Sequence, residues 1–190
     1  MEKIANKLVE LMEKNEVIDK AEFMAYKYGM QIGLELVINI IICIIVAILL
    51  DAKIYCLFFL LIYISIRAFA GGLHLATFLK CTLASLFYLV TIINCMKKIV
   101  LPKECSIVII LLITGGIKLL APVEDQNRKL TAEEKQKFSK RLTYLLNILS
   151  FLSCFFFWKN SMKIISTIAL SLVFSFLVLL LGKLKNMLQR

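Results

Sequence analysis

Arg67, Gly71, Gly72, His74 and Cys81 fall within a single short stretch, and His74 is the only histidine in the chain. These are the parts that a cysteine nucleophile needs. The attacking species is the thiolate, and a free cysteine has a pKa of about 8.5. A neighbouring imidazole can take the thiol proton and leave a thiolate–imidazolium pair. Adjacent glycines let the backbone bend so that N–H groups can face a tetrahedral oxyanion. An arginine can hold a substrate carboxylate by a two-point contact. Taken singly, each residue has an ordinary structural explanation: packing for the cysteine, a surface hydrogen bond for the histidine, a tight turn for the glycines, a topology signal for the arginine. Their coincidence on one side of the membrane is what suggests chemistry.

Geometry constrains that reading. On one continuous helix, His74 and Cys81 would share a face but stand about 10 Å apart. Direct proton transfer needs roughly 3 Å. The reading therefore expects a break or re-entrant turn between the two. Glu35 lies within an apolar run, which makes it a candidate intramembrane polar support, although it stands close to the start of that run. Lys80, beside Cys81, reads as a snorkelling basic residue. No metal and no cofactor are expected: one histidine and six cysteines without CxxC spacing build no metal site.

The elements that must position these residues are apolar runs. They are residues 32–50, 53–66, 78–95, 106–121, 142–158 and 164–182, and each approaches the roughly 20 residues a helix needs to cross a bilayer. The expected fold is an all-α polytopic membrane protein of about six transmembrane helices, preceded by an amphipathic helical segment. Residues 1–30 form that segment, with Ile4, Leu8, Leu11 and Met12 on one helix face and Lys3, Lys7, Glu10 and Lys14 on the other side. It reads either as helices on the membrane surface or as a hairpin packed on the protein. Asp19 with Glu22, and Thr131 with Glu134, have capping-box spacing. Residues 31–190 would be the membrane domain, with the candidate catalytic segment 67–81 and a charged loop at 122–141. The fifth span is expected to begin as a charged helix. With both termini cytoplasmic, inward-facing segments hold 17 of the 23 basic residues, as the positive-inside tendency requires.

Composition supports the membrane class. Apolar residues make up 61% of the chain and charged residues 19%, with a mean hydropathy of +0.86. One soluble core of this length could not bury so much apolar side chain. The net charge of +10 lies between the apolar runs, without basic patches interleaved with aromatics. It therefore points to lipid headgroups and topology, not nucleic acid. A cleaved signal peptide is not expected at the charged N-terminus. The cysteines lie mostly inside apolar runs, where they act as small hydrophobes.

Arg67, the element Gly71-Gly72-x-His74 and Cys81, set between the second and third of about six spans, resemble the accessory gene regulator B family. These are the membrane endopeptidases of Gram-positive peptide quorum sensing. Ala121-Pro122 at the start of the polar loop is a weaker echo. The resemblance implies that His74 is the general base and Cys81 the nucleophile. It further implies a small precursor peptide, with an amphipathic leader and an acidic tail, as partner. Cys81 would cleave off the tail as an acyl-enzyme thioester forms, and a precursor cysteine or serine would then close a thiolactone or lactone. Location in the cell membrane follows, and small residues in the spans are compatible with a homodimer.

Two other functions compete on the residues alone. A small transporter or exporter would use Glu35, Lys118 and the Gly115-Gly116 pair as its pathway, but no internal repeat supports it. A scaffold would use the spans only to hold the polar loop. Both expect Cys81→Ser to be as silent as Cys43→Ser.

Overall fold

The computed structural model describes residues 2–72, 78–123 and 131–188. Among the described residues, seven α-helices run in chain order: α1 Glu2–Lys14, α2 Phe23–Leu49, α3 Lys53–Ala70, α4 Phe78–Lys98, α5 Lys103–Leu120, α6 Ala132–Trp158 and α7 Met162–Leu188. A 3-10 turn, Lys20–Glu22, precedes α2. Among the described residues the only extended pairing is a one-residue parallel bridge between Gly71 and Val123. The protein is thus all-α and polytopic, as its apolar runs require in a solvent that cannot satisfy backbone polar groups.

Among the described residues, five segments are long and apolar enough to cross a bilayer: Lys20–Leu49, Lys53–Ala70, Leu79–Lys98, Ala132–Trp158 and Met162–Leu188. The sequence reading counts six. The run that does not qualify is the fourth, α5, an 18-residue helix that includes Lys103, Glu104 and Lys118, so its uncharged stretch is too short on length and composition.

The chain divides into two compact units, one of Met1–Leu50 with Leu75–Phe87, the other of Asp51–His74 with Tyr88–Arg190. In the first, α1 packs on α2, and Ala5 and Val9 are fully buried. The chain leaves α1 through Glu16, at φ 56°, where Val17 N–H bonds to Met12 C=O. The Asp19–Glu22 capping box does not form: the Asp19 side chain makes no cap bond, and Glu22 N–H turns back onto Asp19 C=O at 2.9 Å. A 3-10 first turn consumes that donor through the backbone. Only Ala47 of α2 is buried, while Ile41, Ile44, Ile45 and Ile48 stand outward.

The second unit is built around α7. Its buried face carries Ile165, Ile168, Leu172 and Leu179 alongside Ser166, Thr167, Ser171 and Ser175. Thr167, Ser171 and Ser175 each donate to the carbonyl four residues back at 2.8 Å, so their polarity is satisfied within the helix. Small side chains then permit close approach of α5, α3 and α6. At Gly116 of α5 a Cβ would stand 2.8 Å from the Phe176 ring. Lys118 Nζ donates to Asn147 Oδ1 at 3.1 Å, joining α5 to α6. At the other end of the unit, Leu101 N–H donates to Ser166 Oγ at 3.0 Å. Helix α6 starts at the predicted capping box: Glu134 N–H donates to Thr131 Oγ1 at 3.2 Å and Thr131 N–H to Glu134 Oε2 at 3.0 Å. It continues unbroken from that charged turn into the apolar run.

Candidate functional site

Helix α3 ends where the glycines begin, and each glycine meets a different neighbour. Gly71 adopts φ +76°, a conformation that L side chains rarely adopt, and its N–H closes the helix onto Arg67 C=O at 3.1 Å. A Cβ on Gly71 would lie 2.1 Å from the backbone oxygen of Val123. That approach exists because Val123 N–H donates to Ala70 C=O at 2.8 Å, laying the segment before the charged loop along the glycine turn. Gly72, at φ +151°, leaves room for a cation: a Cβ there would stand 3.0 Å from Arg67 Nη1.

Arg67 is held from its own helix. Its Nη1 donates to the Tyr63 hydroxyl at 3.0 Å, one turn earlier, and its guanidinium carbon lies 5.8 Å from the Tyr63 ring centre. Tyr63 in turn stacks on Phe59 at 5.2 Å and leans on Tyr88 at 6.2 Å. Tyr88 donates its hydroxyl proton to Phe174 C=O. A small cavity of about 10 Å³, close to the minimum for one water, opens beside Tyr63, Arg67, Gly71 and Ser175. The aromatic support was not read from the sequence. A tyrosine four residues before an arginine on one helix was the signal available for it.

Cys81 lies near the beginning of α4 as described, half-buried, beside an exposed Lys80. It belongs to the first compact unit, as does Glu35, whereas Arg67, Gly71 and Gly72 belong to the second. Glu35 is half-buried on α2 and accepts from Gln31 Nε2 at 3.2 Å, so its carboxylate is met by a neighbour one turn away. Next to Cys81, Thr82 has a buried hydroxyl oxygen with no hydrogen-bond partner among the described residues, a feature that no sequence pattern marks. His74 and residues 75–77, where the expected break between base and nucleophile falls, lie outside the described residues, as do residues 124–130 of the charged loop. None of the six cysteines is in a disulfide.

What this arrangement offers is an arginine held at a helix end, beside a glycine turn clamped by a distant backbone segment. A thiol sits in the other unit, near the start of the following helix. A family model described as accessory gene regulator B matches residues 1–180. No curated protein and no solved structure matches.

Proposed function

The chain belongs to the accessory gene regulator B family, which serves autoinducing-peptide processing, and on that premise we propose that it is a membrane cysteine endopeptidase with Cys81 as nucleophile and His74 as general base. The carrying observation is that the family match runs through the His74 and Cys81 segment and covers all but the last residues of the chain. His74 takes the Cys81 proton, and the thiolate attacks a backbone carbonyl of a short precursor peptide. The backbone N–H of Gly72 and the Arg67 guanidinium serve the oxyanion or a substrate carboxylate, while the Gly71 N–H is used in closing α3 onto Arg67 C=O. Glu35 acts as polar support within the membrane. The C–N bond breaks, the leaving amine takes the proton from His74, and the acidic tail departs. The acyl group stays on Cys81 as a thioester. An internal precursor cysteine or serine then attacks that thioester, closing the ring and restoring the Cys81 thiol. With a cysteine, one thioester replaces another, so removal of the tail or product pulls the reaction forward. Both termini and the polar loop face the cytoplasm. There the basic loop suits an acidic tail.

The test is co-expression of a candidate precursor with wild type, Cys81→Ala and His74→Ala, with each protein's membrane level measured. Wild type should trim the precursor, and both variants should leave it intact, with losses of at least roughly a hundred-fold. Cleavage by Cys81→Ala would remove the nucleophile assignment and bring the exporter reading forward.

A further inference from the structure

Helix α1 carries more apolar surface than α2 can cover. Ala5 and Val9 are fully buried, and α1 packs on α2. Ile4, Leu8 and Leu11 occupy a neighbouring stripe of the same helix, spaced four and three apart, and stay 51%, 37% and 49% exposed. The apolar arc is therefore split. One part is used within the fold, and the other faces outward.

The border of the outward stripe is charged in one sense. Lys3 and Lys7 immediately precede Ile4 and Leu8, and Lys14 lies one turn beyond Leu11, which places all three lysines along one edge. Glu10 lies behind that lysine edge, away from the stripe, and the Asn6 amide donates to its carboxylate. An outward apolar stripe edged by lysines is the pattern of a helix lying in the interface of an anionic bilayer. Aliphatic side chains enter the acyl boundary while ammonium groups stay among the headgroups. The surface is continuous with a membrane element, because the helix that α1 packs on is itself long and apolar enough to span.

We infer that the Ile4–Leu8–Leu11 face of α1 docks on an anionic lipid leaflet, with Lys3, Lys7 and Lys14 supplying the preference for negative headgroups. α1 and Leu75–Phe87 belong to one compact unit. Docking therefore ties the unit that bears Cys81 to the leaflet. The inference does not depend on the peptidase chemistry.

The test uses the full chain in nanodiscs and a tryptophan probe, made possible because Trp158 is the single native tryptophan. In a Trp158→Phe background, Leu8→Trp and, independently, Leu11→Trp report the stripe, and Glu10→Trp reports the opposite side. Discs contain acyl-brominated lipids, either with phosphatidylglycerol or with phosphatidylcholine alone. The stripe probes should be quenched at least two-fold more than Glu10→Trp in the anionic discs. Neutralising Lys3, Lys7 and Lys14 to glutamine should remove at least half of that quenching, as should discs of phosphatidylcholine alone. Stripe probes quenched no more than Glu10→Trp would overturn the docking. So would probes shielded from bromolipid and aqueous iodide alike, since a second copy or a bound peptide would then cover the face. Quenching indifferent to lipid charge and to the lysines would overturn the anionic preference.

Discussion

Arg67 and the two glycines show how much of a candidate site rests on contacts that single residue types only hint at. Gly71 and Gly72 were read as a turn that frees backbone N–H groups. In the structure the Gly71 N–H is instead bonded to Arg67 C=O, Gly71 is pressed against Val123, and Gly72 makes room for the arginine. A positive-φ conformation that is nearly glycine-only costs on the order of 1–3 kcal/mol for other residues. The 2.1 Å approach to a backbone oxygen adds to that cost, since backbone cannot swing aside. Gly71→Ala should therefore lower the detergent melting temperature by several degrees and reduce precursor processing at least about ten-fold. Gly29→Ala is the control, because a Cβ there meets nothing within 4 Å. Equal melting temperatures for the two variants would show that the Gly71–Val123 contact carries no stability. The Tyr63–Arg67 pair was legible only as spacing on a helix. That the tyrosine accepts from the arginine, rather than facing lipid, depends on the Phe59 and Tyr88 rings around it.

At the scale of elements, the helices themselves were readable because each apolar run must satisfy its own backbone. The Thr131–Glu134 cap was equally readable, being a contact across three residues. Its counterpart at Asp19–Glu22 failed, since the same spacing can be resolved by a 3-10 turn. Helix faces were much less legible. Nothing in the apolar run of α5 distinguishes Gly115 from Gly116, yet one faces open space and the other the Phe176 ring. Gly116→Val should cost about 1–3 kcal/mol by overpacking the α5–α7 contact. Gly115→Val should cost much less. Thermal unfolding of both variants in detergent checks the difference, and equal losses would mean that α5 and α7 do not meet closely at Gly116.

For the whole molecule, the open issue between sequence and structure is α5. Five spans put the termini on opposite sides, and six put them on the same side. The basic residues favour both termini inside. Alkaline phosphatase fused after Arg190 should then be inactive and, fused after Asn160, active. Activity after Arg190 would mean an odd number of crossings. The expectation is that α5 crosses despite Lys103, Glu104 and Lys118, because these charges sit near its ends, where long side chains reach the interface. One of them, Lys118, already has a polar partner in Asn147 of α6.

The sequence by itself determined the membrane class, the helical runs, the start of α6 and the short stretch where an arginine, two glycines, the single histidine and a cysteine coincide. All of these follow from local chemistry: apolar length, capping spacing and the rarity of histidine. Tertiary structure decided which side chains of each helix meet protein and which meet lipid. Lipid tails and protein cores are equally apolar, so a span's sequence carries little signal for its buried face. The bridge from Gly71 to Val123, the serine-lined core of α7 and the division of α1 into a packed and an outward stripe are therefore outcomes of packing. Each depends on a neighbour distant in the chain or on the opposing helix, and no local pattern names that neighbour.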